Sequence, residues 1–262
     1  MNLDLKNKRA LVCGSTQGIG KAVAMELALL GANVTLVARN EQNLKQVKSE
    51  LFTSGSQLHS YLCVDFNDAA ALKVLVEQFI QRSGPVNILV NNTGGPPAGP
   101  IVNAKPEEFI SAFNNHLICN HILAQACIEG MKHSGYGRII NIISTSVKQA
   151  LPNLGVSNTI RAAVGNWAKT MANELGKFGI TVNNVLPGAT STQRLSTIID
   201  NKALKTAMSN EAVKNEMLHE IPLGRFADAF EIANAVAFLA SPAGAYINGI
   251  NLPVDGGRTG SL

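Results

Sequence analysis

The stretch GVSNTIRAA, residues 155–163, sets Ser157 four positions ahead of Arg161 at the start of a segment patterned as a helix. Residues four apart share a helical face, so a hydroxyl and a guanidinium meet there, either as a hydrogen-bonding site or as surface decoration. Earlier in the chain, GSTQGIGKAVAMELA (14–28) places Gly14, Gly18 and Gly20 on a turn that opens a helix. Glycine lets the backbone turn tightly and come close to a pyrophosphate, whose charge is received by unpaired amides at a helix N-terminus. The triplet follows directly on an apolar strand, the context that a phosphate cradle requires; the bland alternative is a tight turn and nothing more.

These groups need elements to hold them, and the chain supplies a regular series. Apolar, β-rich runs at 9–14, 33–39, 57–65, 86–92, 137–144, 179–187 and 247–255 alternate with helical patterns at 18–30, 41–54, 68–82, 106–133, 157–177 and 228–240. Most of the runs are apolar at nearly every position, so both faces of the sheet must be covered. An α/β fold follows, a single domain over 1–262 with a parallel sheet between two layers of helices. Residues 189–227 contain no strand and one weakly amphipathic helix at about 195–218. An insertion of that length after a strand reads as a lid or substrate loop, or as a surface excursion without a role.

Composition narrows the function classes. The chain has 262 residues, 46% hydrophobic and 15% charged, with a net charge of +4. The 22 basic residues are scattered, which argues against a nucleic-acid-binding face. No apolar run is long enough to cross a bilayer and the N-terminus lacks the pattern of a secretory signal, so a cytoplasmic protein without membrane association is expected. Cys13, Cys63, Cys119 and Cys127 lie in apolar segments without metal-ligand spacing and are expected as reduced core residues; no metal site is expected.

The glycine spacing Gly-x3-Gly-x-Gly, with VDF at 64–66, NNTG at 91–94, GRIINIIS at 137–144, GITVNNVLPG followed by Thr192, IPLGRFADAFEIANAVAFLAS at 221–241 and INGINLPVDGG at 247–257, resembles the short-chain dehydrogenase/reductases. The likeness covers nearly the whole chain and is strongest to the branch containing 3-oxoacyl-carrier-protein reductases. It implies a Rossmann-type, doubly wound sheet of seven parallel strands with a dinucleotide across its carboxyl edge.

On that resemblance the cofactor follows Gly14, Ser15, Thr16, Gln17, Gly18, Ile19 and Gly20. Asp65 and Phe66 lie near the adenine, Asn91, Thr93 and Gly94 near the adenosine ribose and beyond, and Pro187, Gly188 and Thr192 toward the nicotinamide. Asp65 and Asn91 can also be read as caps of the loops after their strands. An acidic residue after strand two favours NAD; this chain has Arg39 in VARNE, so NADP(H) is expected over NAD(H). The other reading of Arg39 is an ordinary solvated side chain.

The family's reaction passes a hydride between a nicotinamide and a carbonyl or alcohol carbon, using Asn, Ser, Tyr and Lys. Tyr stands thirteen residues after Ser, and Lys four after Tyr. Laid on this chain, the pattern gives Asn115 and Ser144, and then Ser157 and Arg161 where tyrosine and lysine belong. A phenol with an ordinary pKa of about 10 can be drawn toward neutrality; an alkyl hydroxyl cannot, and arginine keeps its proton. No shift of register recovers the pair, because the tyrosines are Tyr61, Tyr136 and Tyr246. Lys148 is a second candidate donor or a solvent-facing loop lysine. His116, one position past Asn115, points about 100° away on a regular helix and reads as a packed or surface histidine. The prolines of TGGPPAGP (93–100) shape a pocket or only stiffen the loop.

Two functions fit these residues. One is an NADP(H)-dependent oxidoreductase of a small carbonyl or alcohol substrate with an altered proton-transfer system; the other is a non-catalytic dinucleotide-binding or scaffold protein. The resemblance also implies a homodimer or homotetramer paired through the helices at 106–133 and 157–177.

Overall fold

The computed structural model describes residues 1–261. Its strands are β1 (Arg9–Cys13), β2 (Asn33–Ala38), β3 (Ser60–Cys63), β4 (Ile88–Asn91), β5 (Gly137–Ile142), β6 (Ile180–Pro187) and β7 (Asn251–Val254). They form one parallel sheet of seven in the order β3-β2-β1-β4-β5-β6-β7. The order reverses between β1 and β4, which opens a crevice at the carboxyl ends of those strands.

Alternate strand residues feed opposite layers. Val12, Leu36 and Val90 pack with α1 (Gly18–Leu29), α2 (Glu41–Glu50) and α9 (Ala229–Ala240). Their neighbours Leu11, Val37 and Leu89 pack with α3 (Ala69–Ser83), α5 (Cys119–Ser134) and α6 (Gly155–Leu175). Burial on both faces is why the strands read as unbroken apolar runs. Helix starts carry their own signals: Asn40 and Asp68 accept the Asn43 and Ala71 amides at α2 and α3, and Asp228 with Glu231 forms a capping box at α9.

Three expectations need correction. The pattern at 106–133 is not one helix: α4 (Pro106–Phe113) passes through a π-helical turn at Asn114–Ile118 into α5. The pattern at 195–218 is likewise two helices, α7 (Gln193–Thr206) and α8 (Asn210–His219). Ala207 turns into the left-handed region at φ 54°, and Ser209 Oγ starts the second helix by accepting the Ala212 amide. Cys63 is exposed rather than core, because it ends the edge strand β3, whereas Cys13, Cys119 and Cys127 are buried.

Four asparagines cross the sheet in one row. Asn91 Nδ2 donates to Asn141 Oδ1 at 2.8 Å, Asn141 Nδ2 to Asn184 Oδ1 at 2.9 Å, and Asn184 Nδ2 to Asn251 Oδ1 at 2.8 Å. Each pair is also a backbone register pair between adjacent strands. No described helix is long and apolar enough to cross a membrane.

Candidate active site

The turn after β1 is shaped by what lies against its glycines. Gly14 has φ +58°, and a side chain there would stand 2.6 Å from the Asn92 carbonyl oxygen. A methyl on Gly20 would overlap the Gly14 carbonyl and come within 2.7 Å of Asn92 Nδ2. Asn92 fixes the turn by donating from Nδ2 to the Cys13 and Gly14 carbonyls, both at 3.3 Å. Ser15 ties it to β2, its Oγ accepting the Val37 amide at 3.0 Å. Gln17, the residue before α1, makes no side-chain cap, so the first amides of the helix are left for an incoming anion. Ile19 packs into the core behind them.

Other expected cofactor contacts gather along the same crevice. Thr192 caps α7, accepting the Leu195 amide at 3.4 Å, and its Cγ2 lies 3.2 Å from where a Cβ on Gly18 would stand. Gly188, just past Pro187, bonds its amide to the Val254 carbonyl, and a Cβ there would strike Asp255. Arg39 and Asp65 face each other at 3.9 Å with the arginine side chain 77% exposed. The Phe66 carbonyl accepts the Cys119 thiol. Asn91 is different: it is buried in the asparagine row, and its neighbour Asn92 is the residue that reaches the glycine turn.

At the mouth of β5 and α6, Ser157 and Arg161 are both buried and bonded to each other, Arg161 Nε donating to Ser157 Oγ at 3.3 Å. Arg161 Nη1 donates to the Ile142 carbonyl at 3.3 Å, docking the helix on the end of β5 two residues before Ser144. Burial and the neighbouring Arg194 lower the Arg161 pKa to about 10, which leaves it charged at neutral pH. Ser144 Oγ accepts the Ser146 amide at 3.1 Å as the cap of a short 3-10 turn, and half-buried Lys148 ends that turn.

Asn115 does not join this centre. Its Nδ2 donates to Asn67 Oδ1 at 2.9 Å, while His116 is buried with Nδ1 2.7 Å from Thr93 Oγ1, next to Gly94. The π-helical turn is the cause: its wider winding alters which way successive side chains face, so His116 turns inward and Asn115 outward. Burial first, then Arg161 and Arg194, push the His116 pKa from 6.5 to about 3, keeping the ring neutral.

That shift has a sign. Between pH 6.5 and about 3 the unfolded chain protonates His116 and the folded chain does not, so stability falls as pH drops through that window. One proton gives a slope of at most about 1.4 kcal/mol per pH unit. Urea unfolding of wild type and His116→Gln between pH 4 and 7 is expected to show a shallower acid loss in the variant; parallel curves would refute it.

The tyrosines stay away from the centre. Tyr61 donates to Glu41, Tyr136 donates to the Ala240 carbonyl, and Tyr246 is fully exposed. The carboxyl edge of the sheet therefore carries both a glycine turn opening onto uncapped helix amides and a hydroxyl–guanidinium pair. A family model described as "Enoyl-(Acyl carrier protein) reductase" matches residues 14–259.

The chain belongs to the short-chain dehydrogenase/reductase family. Among curated proteins of the family it is 34% identical over 255 residues to the 3-oxoacyl-[acyl-carrier-protein] reductase FabG of Haemophilus influenzae, covering 97% of this chain and 98% of the relative. The corresponding protein of Pseudomonas aeruginosa is 35% identical over 257 residues, covering 97% and 98%. Among solved structures of short-chain dehydrogenase/reductases, the L-sorbose reductase of Gluconobacter frateurii, complexed with NADPH and L-sorbose, superposes with a TM-score of 0.92 at 29% identity, covering 100% of both chains. YwfH, an NADPH-dependent reductase involved in bacilysin biosynthesis, superposes with a TM-score of 0.91 at 28% identity over 97% of this chain and 99% of its own.

Of the two readings of His116, packed or surface, the structure shows the packed one. Two further residues of the site are absent from the sequence-based expectations. Asn92 stood beside the asparagine chosen. Arg194 carried a usable signal: it is a cation in the first turn of α7, where the helix dipole disfavours positive charge.

Proposed function

We propose that the protein is an NADP(H)-dependent oxidoreductase of a small carbonyl or alcohol substrate, with Ser157 and Arg161 in place of the family's tyrosine and lysine. The observation that carries this reading is the meeting, on one sheet edge, of the glycine cradle under open α1 amides and the buried Ser157–Arg161 pair. The residues present fit the dinucleotide: Gly14 and Gly20 let the turn close tightly against Asn92 and itself at the start of α1, no side chain caps the first α1 amides, and no acid in that first turn opposes a pyrophosphate. NADPH complexes among the similar structures support the same choice.

Bound there, reduced nicotinamide supplies the hydride that goes to a carbonyl carbon. Ser157 Oγ accepts from Arg161 and keeps its own hydrogen free to donate to the substrate oxygen. The Arg161 charge stabilises the negative charge that develops on that oxygen. Neither group gives up a proton near neutrality, so water completes the alcohol. Residues 189–227 serve as the substrate-side cover, bringing Thr192 and Arg194 to the crevice. Subunits pair through α4, α5 and α6, where Ile110 and Phe113 are exposed apolar side chains.

Arg39 makes the cofactor preference testable. It is exposed and only loosely opposed by Asp65, so it can turn to a 2′-phosphate with two charge-assisted hydrogen bonds. NADPH is expected to bind about 10- to 100-fold more tightly than NADH, and Arg39→Asp to reverse the order, by fluorescence titration. Equal wild-type affinities would refute it. Turnover of a carbonyl panel with NADPH tests the reaction itself; tight NADPH binding with no turnover would favour the dinucleotide-binding protein.

A further inference from the structure

Arg161 is a cation that the fold buries without neutralising. It is 8% exposed, with Nε on Ser157 and Nη1 on the Ile142 carbonyl. Its remaining nitrogen, Nη2, lies 3.2 Å from where a Cβ on Gly95 would stand. Arg194 reaches the same point from the rim: its Nη1 donates to the Gly95 carbonyl at 3.3 Å, and its Nη2 would collide with that Cβ. Glycine at position 95 is what lets the two guanidiniums approach over bare backbone.

Among the described residues neither arginine forms a salt bridge. His116, the third titratable group there, is neutral and offers no compensation. Two cations that repel each other, one of them desolvated, are a cost that an anion between them removes. Arg194 adds a second cost by standing at a helix N-terminus.

We propose that Arg161 and Arg194 form a subsite for a carboxylate of the substrate, which is then a 2-oxo or 3-oxo acid with its carboxyl group free. This substrate class rests on the oxidoreductase reading. Spacing sets it: the Nε end of the Arg161 edge is at Ser157, where the carbonyl oxygen goes, and the Nη2 end is at Gly95 and Arg194. Carbonyl and carboxylate are therefore held at the two ends of one Ser157–Arg161 pair, which suits a carboxyl group on the carbonyl carbon or one carbon beyond it. Paired guanidiniums suit a carboxylate because the Nη2 groups left over on Arg161 and Arg194 can each donate a charge-assisted hydrogen bond to one of its two oxygens.

The test has a binding arm and a kinetic arm. Malonate titrated calorimetrically into the protein, with and without NADPH, is expected to bind wild type and to bind Arg194→Met at least tenfold more weakly, with Arg194→Lys between. In turnover, wild type is expected to prefer 2-oxo and 3-oxo acids over their methyl esters at least tenfold in kcat/KM. Arg194→Met collapses that ratio toward one, chiefly through KM, and Arg194→Lys restores part of it. Absence of malonate binding to wild type, equal binding to both proteins, or equal use of acid and ester each overturns the subsite. NADPH binding is measured separately, so a chain that binds no NADPH refutes the oxidoreductase reading while malonate binding to the unliganded chain still decides the subsite.

Discussion

Arg161→Met is expected to cut kcat/KM by about 10²- to 10³-fold at saturating NADPH, the usual cost of removing one donor from a developing oxyanion. The variant keeps the length and apolar stem of the side chain but loses both the charge and the hydrogen bond that orients Ser157. Stability should move the other way. The guanidinium is desolvated and faces Arg194, so replacing it with a neutral side chain removes a buried, uncompensated charge. Against this stands the loss of the bonds to Ser157 and the Ile142 carbonyl, so the net gain is put at only about 1–2 kcal/mol. Kinetics and urea unfolding of the cofactor-free protein check the two halves. Activity within threefold of wild type would remove Arg161 from the reaction, and a parallel loss of stability would make it a structural residue.

Gly20→Ala is the second large effect, and it acts on the cradle. The added methyl meets the Gly14 carbonyl and Asn92 Nδ2 together; the first is backbone, and the second is held by its hydrogen bonds to the Cys13 and Gly14 carbonyls. Overpacking of this kind costs about 1–3 kcal/mol. If the turn holds its shape, the cost appears as lower stability; if the turn opens to relieve the clash, it appears as NADPH affinity lower by about 10- to 100-fold. Thermal unfolding and NADPH titration of the same preparation should together account for it. Gly99→Ala, where nothing lies within 4 Å, should change neither. A Gly20→Ala protein with wild-type stability and affinity would show that the turn is not a close-fitting cradle.

The fold was legible because a doubly covered parallel sheet writes itself as apolar runs separated by amphipathic helices. Leu11 and Val12 feed opposite cores, and both had to be apolar. The glycine turn was legible for a related reason, since Gly14 at positive φ and Gly20 against a carbonyl leave no other residue type comfortable. Periodicity failed where the backbone departs from regular winding. The π-helical turn moved the inward position from Asn115 to His116, and a left-handed Ala207 split one expected helix into two. The Arg161–Arg194 approach was out of reach for another reason: it joins α6 and α7 over Gly95, a meeting fixed by packing rather than by spacing along the chain.

The asparagine row bears on how the sheet finds its alignment. Apolar strands buried on both faces are poorly distinguished from copies of themselves slid by one or two residues, because every position offers a similar hydrocarbon surface. A one-residue slip between β4 and β5, or β5 and β6, would turn an asparagine to the opposite layer and strand amide groups in hydrocarbon, at about 1–3 kcal/mol for each unpaired group. The row works as a combination lock across β4, β5, β6 and β7, opening to a low-energy sheet at a single setting. At that setting the strand ends that carry Asn92, Ser144 and Gly188 finish side by side, so reaction geometry at the crevice is inherited from a polar tumbler row beneath it.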